Sequence, residues 1–433
     1  MSTITTERAD HPAAAVRDPA EKHRRIKAVV VLTLVLALLI FFALDAKAKT
    51  VKYILGERVS QEFPTKELSA GPVAWACVAI VAVALVLAAL NLLRKQSVAI
   101  PVYFLAGLVF YFGFMIWEFR DQGGAFQAAI SNPLPGTIAI ATPLILGALA
   151  GVMCERAGVI NIAIEGQFLV GAFLASVFAS LIFSAFAGLV AAVVGGVLVG
   201  ALLALFAIRY QVNQIVVGVV LVAFASGLTA FLVNQIPASG KGKEYLNQPP
   251  ILNKVAIPGL SDIPLVGQAL FTQTALVYLM YVAIVAVPFV LYQTRWGLRV
   301  RSVGEHPQAA DTVGIKVNRV RWQAVLAGGG LAGLGGAYFT VGSSGSFDQD
   351  ISNGQGFIAL AAVIMGRWHP VGATLAALFF GFMWNLQNQV GLVGKVPNEF
   401  LGAAPYLATI IAVAGFVGRV RPPAADGEPY VKG

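Results

Sequence analysis

The stretch QTRWGLRVRSVGEHPQAADTVGIKVNRVR, residues 293–321, is the longest clearly polar interruption in the apolar second half of the chain. It holds six Arg and Lys residues against Glu305 and Asp311, and apolar runs lie on both sides. Between two membrane-crossing segments, a loop this basic is expected on the cytoplasmic side, because Lys and Arg resist translocation. Its interior, GEHPQAADTVGI, is not a simple basic coil. Pro307, the small Ala309 and Ala310, and Gly314 predict a short helix between two turns. Held along the membrane surface, such a helix can dock a soluble partner.

Composition agrees. The chain is 58% hydrophobic and 12% charged, whereas a soluble domain carries about 25% charged residues. Mean hydropathy is +0.78. The apolar runs are continuous rather than short and alternating, which excludes a β-barrel. The expected fold class is therefore all-α: a polytopic transmembrane helical bundle of about 10–12 membrane segments, with one or more broken or half helices. The net charge of +9 then belongs to cytoplasmic loops and does not indicate nucleic acid. Cys77 and Cys154 are too few for a disulfide framework or a cysteine-rich metal site. His11, His23, His306 and His369 show no ligand spacing, so no metal and no cofactor is expected.

The polar residues 1–27 are expected to be a disordered cytoplasmic tail. Apolar spans follow near 28–44, 73–93, 98–117, 135–153, 163–184, 186–207, 213–233, 272–292, 323–341, 355–368, 371–390 and 401–418. The first reads as a retained signal-anchor helix. Residues 28–132 separate from a core at 133–420, where glycines and polar residues become denser, and 421–433 form a C-terminal tail. The run 355–368 is too short for a roughly 30 Å hydrocarbon core, which takes about 20 residues, and reads as a half-helix. Counted over twelve crossings from an inside N-terminus, 20 Arg and Lys fall on the inner side and 10 on the outer. That bias puts both termini in the cytoplasm. The segment 234–271 contains five prolines and reads as an ordered external loop or cap.

A second polar stretch, CERAGVINIAIEGQFLVGAF, spans 154–173. Ionisable groups at membrane depth are costly, by at least ~2.5 kcal/mol each on insertion scales, and mark pathways. Glu155, Asn161, Glu165, Gly166 and Gln167 are accordingly candidate pathway residues. The plainer alternative is a solvated turn carrying Glu155 and Arg156. Near the end of the 371–390 span, Trp384, Asn385, Gln387, Asn388 and Gln389 offer amides to a neutral polar solute, with Asn385 the candidate; interhelical bonding is the alternative there. Asn213 and Gln214 lean towards an interfacial role. The run GGGLAGLGGAYF, 328–339, has no preceding strand and no P-loop lysine. Its small-xxx-small spacing is a packing signal. No catalytic constellation is present.

PLILGALAGVMCERAGVINIAIEGQFLVGAF at 143–173, together with GEHPQAADTVGI and the glycine-rich span, resembles permease subunits of ATP-binding-cassette importers in the branched-chain amino acid and simple-sugar permease family. The wording ERAGVINIAIEGQ is most similar to the nucleoside-type members. The resemblance covers about 133–420 and implies a coupling helix seated in a cleft of a cytoplasmic ATPase. Glu305, Ala309, Ala310 and Gly314 match the loose pattern E-x3-AA-x3-G, with Gly304 before it. The resemblance further implies a second permease subunit, identical or homologous, and an extracytoplasmic solute-binding lipoprotein. Nucleosides or a related simple sugar would cross the bacterial inner membrane by alternating access, with ATP hydrolysed by the partner chain. A stand-alone transporter driven by H⁺ or Na⁺ is the alternative. It would use a carboxylate such as Glu165, but calls for a matching broken helix in the second half.

Overall fold

Pro133–Glu155 (α4) is the central post of the larger of two compact units, Met1–Ser131 and Asn132–Gly433. The computed structural model describes residues 19–46, 49–53, 66–93, 96–120, 132–236, 245–263, 266–391, 402–403 and 421–431. Along α4, 89% of the most apolar window is buried, against 28% for the peripheral helix α7, Gln214–Asn234. The difference separates a helix wrapped by protein from one that presents apolar side chains outward, as lipid-facing helices do. Asn132 accepts a bond from the Leu134 amide at 3.0 Å and Pro133 occupies the first position, so the sequence NP sets where α4 begins.

In the first unit, α1 (Pro19–Asp45), α2 (Ala70–Ala89) and α3 (Gln96–Phe119) pack on one another, and the strands Thr50–Tyr53 (β1) and Lys66–Ser69 (β2) pair antiparallel. Asp45 receives the Trp117 indole N–H at 2.9 Å and an ion pair from Arg120. Helix α1 starts at Pro19, inside the stretch 1–27 expected to be disordered. Ala20, Glu21, Lys22 and Arg24 are strong helix formers and Pro19 fits a first turn.

Around α4 in the second unit lie α5 (Ile164–Ile182), α6 (Ala185–Ala204, continued as a π-turn to Arg209), α7, α8 (Gly267–Phe271), α9 (Ala275–Gln293), α10 (Arg295–Glu305), α11 (Pro307–Thr312), α12 (Val317–Gly336, continued to Ser344), α13 (Gln355–Met365) and α14 (Pro370–Gly391). The glycine run packs α12 on α6: a side chain at Gly196 would strike the Gly329 carbonyl, and one at Gly333 the Ala192 carbonyl. Backbones this close need small residues on both helices.

Nine described helices are long and apolar enough to cross a membrane, and α13 is a half-helix. Its eleven residues rise about 16 Å, roughly half of a ~30 Å core. Helix α14 is 22 residues long, and its amides lower its hydropathy. The expected span 401–418 lies outside the described residues apart from Gly402 and Ala403. The proline-rich segment carries a strand, Lys254–Ala256 (β3), paired antiparallel with Thr272–Thr274 (β4).

In residues 293–321 the expected short helix is α11, and a second helix, α10, which was not expected, precedes it. Gly297, Val300, Val303 and Gly304 recur at helical spacing and are buried, giving α10 an inward stripe that the interleaved Arg295, Arg299 and Arg301 disguised. His306, placed before Pro307, is pushed out of helical geometry and separates the two.

Candidate functional site

Helix α4 ends at Glu155, and the chain then turns through Arg156 to Ala163 before α5 begins. Gly158 makes the turn possible: its φ is +82°, and an added Cβ would lie 2.8 Å from the Ala425 carbonyl. The turn is not solvated. Glu155 is buried and accepts the indole N–H of Trp368. Arg156 donates through Nε to the Trp368 carbonyl at 2.7 Å and faces Glu305 at 3.9 Å. Arg367 and Trp368, at φ +56° and +54°, form the strained link between α13 and α14. Next to them His369 stacks on Tyr292 at 5.2 Å, and burial, then Arg156, push its imidazole below the ordinary range.

The basic loop sits directly on this turn. A side chain at Gly304 would strike the Arg156 carbonyl, so α10 and the turn touch backbone to backbone. At its other end α10 is fixed to α9: Thr294 accepts from the Gly297 amide at 3.1 Å, Arg301 donates to the Leu291 carbonyl at 3.0 Å, and its guanidinium lies over the Tyr292 ring. Of the predicted coupling residues, Gly304 and Glu305 end α10, while Ala309 and Ala310 lie on α11, the first exposed and the second buried. Gly314 takes φ +82° in the turn into α12.

Glu165 lies in the first turn of α5, and both its oxygens are engaged. Oε1 accepts from Ser352 Oγ at 2.6 Å and the Gly354 amide at 2.8 Å, and Oε2 accepts from the Gly356 amide at 2.6 Å. These are the orphan donors at the start of α13, so the carboxylate caps a half-helix from across the fold. Gly166 packs against α7, its Cβ position 3.1 Å from the Leu221 carbonyl. Asn161 donates to Gln167 Oε1 at 3.1 Å and Cys154 Sγ at 3.6 Å. Asn161 Oδ1 and Gln167 Nε2 are buried with no hydrogen-bond partner among the described residues.

The structure therefore groups Glu155, Asn161, Glu165 and Gln167 around one break and separates Asn385 from them. Asn385 donates to the Pro133 carbonyl at 2.9 Å and tethers α14 to the start of α4. Asn213 caps α7, accepting from the amides of Ile215 and Val216, and Gln214 accepts from the Ile160 amide at 2.8 Å. Sequence reading missed Trp368, Ser352 and Arg321, the last counted only as a loop cation. It also missed Asn247, which exchanges two bonds with the Phe347 backbone at 2.9 and 2.7 Å and accepts from Ser176 at 2.6 Å. Its signal is weak, one amide in a proline-rich segment.

The site offers buried hydrogen-bonding groups around a turn between two helices, and a helical loop that rests on that turn. The chain belongs to the family of branched-chain amino acid transport system permease components, whose profile matches residues 134–417. It is 41% identical over 315 residues to the guanosine ABC transporter permease protein NupQ of Bacillus subtilis, covering 70% of this chain and 98% of that one. To the nucleoside ABC transporter permease protein NupC of Lactococcus lactis it is 40% identical over 301 residues, 67% and 94% of the two chains. The putative glucose ABC transporter permease protein TsgC13 of Haloferax volcanii is 34% identical over 310 residues, 67% and 92%.

Proposed function

We propose that this chain is the membrane subunit of an importer that carries nucleosides across the bacterial inner membrane, both termini in the cytoplasm. A separate ABC ATPase drives it by pushing on the α10–α11 loop, with a second permease subunit and an external solute-binding lipoprotein completing the assembly. The observation that carries this reading is the backbone contact between Gly304 and Arg156. It links a surface-lying helical loop to the turn that leads into the polar break. A rigid contact of this kind transmits displacement, which a floppy loop would not. Nucleosides are favoured over sugars because the two relatives with nucleoside or guanosine in their names are more similar than the one named for glucose. Asn161 Oδ1 and Gln167 Nε2 supply unmet polar capacity suited to a hydroxyl- and amide-bearing solute, reached in a conformation other than this one, in which both are buried.

The test is Gly304→Val in the assembled transporter. Its side chain must displace Arg156, so ATP hydrolysis should continue while labelled guanosine uptake falls. Uptake and hydrolysis both equal to wild type would remove the loop from the coupling path, and uptake of glucose in preference to guanosine would remove the nucleoside assignment.

A further inference from the structure

The C-terminal segment 421–431 returns to the site and lies across it. The Ala425 amide donates to the Gly304 carbonyl at 2.9 Å, and the Ala424 amide to Glu305 Oε2 at 3.3 Å. The Glu428 carbonyl accepts from Arg321 Nη1 at 2.8 Å, and the Tyr430 carbonyl from Gln211 Nε2 at 3.3 Å. The Tyr430 phenol lies beside Asp311 on α11. Ala425 and Tyr430 are themselves buried. One short segment thus grips α10, α11, the start of α12 and the turn after α6, while its Ala425 carbonyl presses on Gly158 of the α4–α5 turn.

Beneath it lies Arg321, 1% exposed and the largest fully buried side chain among the described residues. Among the described residues its Nε and Nη2 have no hydrogen-bond partner, nor do Asp426 Oδ1 and Glu155 Oε1. A buried guanidinium is costly unless charge or dipoles answer it. Here the answering groups are the strap's own Glu428 carbonyl and Asp426. The arginine is therefore held in place by the strap, and lifting the strap returns it to water.

Resting on the importer reading above, we infer that residues 421–431 are a positioning strap that makes the α10–α11 loop and the α4–α5 turn move as one body, with Arg321 as its anchor. Gly304 alone makes a point contact that could pivot. The strap adds attachments on either side of it and removes the pivot. Its bonds go to Gly304, Glu305, Arg321 and Gln211 rather than to Asn161 or Gln167, so it acts on the transmission of the push and leaves those two groups unchanged.

Two variants test this in the full importer in proteoliposomes. One deletes 421–433, which leaves Arg321 solvated rather than buried and unpaired. The other is Gly427→Val, which lifts the strap without removing a charge, because Gly427 has φ +79° and its Cβ position is 2.7 Å from Ile160 Cδ1. Guanosine transported per ATP hydrolysed should fall about tenfold in both, corresponding to ~1.4 kcal/mol of lost coupling, with equal membrane abundance. In the wild type the Ala425 amide should be protected from hydrogen exchange. A wild-type ratio in both variants overturns the strap, as does an unprotected Ala425 amide. Absence of uptake and hydrolysis in the wild-type assembly overturns the importer reading, and the strap's coupling role with it.

Discussion

Replacing Glu165 with Gln isolates the cap on α13. The carboxylate accepts three bonds through two oxygens, at 2.6, 2.8 and 2.6 Å. Gln keeps the shape but turns one oxygen into an NH₂ donor. If that donor faces Gly356, one amide is left unsatisfied; in the opposite orientation Ser352 and Gly354 both lose their acceptor. Hydrogen bonds to a charged group contribute about 1.5–3 kcal/mol each. A negative charge at a helix N-terminus adds ~1 kcal/mol in a partly buried setting. One lost bond with the lost charge therefore costs about 3–4 kcal/mol. Asp would fare no better, being one methylene short of donors fixed on the other element. The assay is thermal unfolding of the purified chain in detergent alongside guanosine uptake in cells. We expect a midpoint lower by several degrees and reduced uptake in the same variant, with Glu165→Ala worse in both. A Gln variant as stable as wild type would show that the cap does not hold α13. Unchanged uptake with a lowered midpoint would confine Glu165 to a structural role.

Two further outcomes are expected. Asn247→Leu removes both bonds to Phe347 and leaves its buried amide unpaired, a loss of about 2–3 kcal/mol; limited proteolysis should then cut between 245 and 263 faster, whereas unchanged cutting would mean the outer segment is held by other contacts. The Asp426 carboxyl is raised to about 7 by burial, with Arg321 opposing the shift and Glu155 and Glu428 nearby. An acid whose pKa is higher docked than free favours docking most below the ordinary carboxylate range, so strap protection should weaken as pH rises towards about 7 and then level off. Hydrogen exchange at Ala425, corrected for intrinsic rate, at about pH 6 and about pH 8 checks the sign, and Asp426→Asn should flatten the profile.

The spans and the half-helix were legible because hydropathy and length are local properties. So was the close packing of Gly329 and Gly333, though not its partner, since α6 offers GGVLVG with several equivalent registers. The second helix of the basic loop was hidden because Arg295, Arg299 and Arg301 dominate its composition while only Gly297, Val300, Val303 and Gly304 face inward. The cap on α13 was invisible for a different reason. Glu165 and Ser352 are 187 residues apart, and nothing in IAIEGQ states which distant amides will need a carboxylate. For Glu155 and Arg156, local sequence left a solvated turn as the alternative to a pathway role. They are engaged because Trp368 arrives from a strained link whose left-handed residues carry no glycine signature.

These contacts form a closed circuit, and that bears on how the permease changes state. From Glu155 the chain passes through the Arg156–Ala163 turn to Glu165, which caps α13. Helix α13 runs to Trp368, whose indole returns to Glu155. The α10–α11 loop meets this circuit at Arg156 and Gly158, through Gly304 and Glu305. A push there cannot move the turn while α13 stays still, because both ends of α13 are bonded to the moving segment. On the coupling proposed above, the half-helix and the turn shift together, carrying Asn161 and Gln167 with them. Packed elements of this kind switch between discrete arrangements rather than deform continuously. On the coupling proposed above, the polar break is the driven part, and the buried Glu155 and Glu165 are the joints that hold the half-helix and its following link to it.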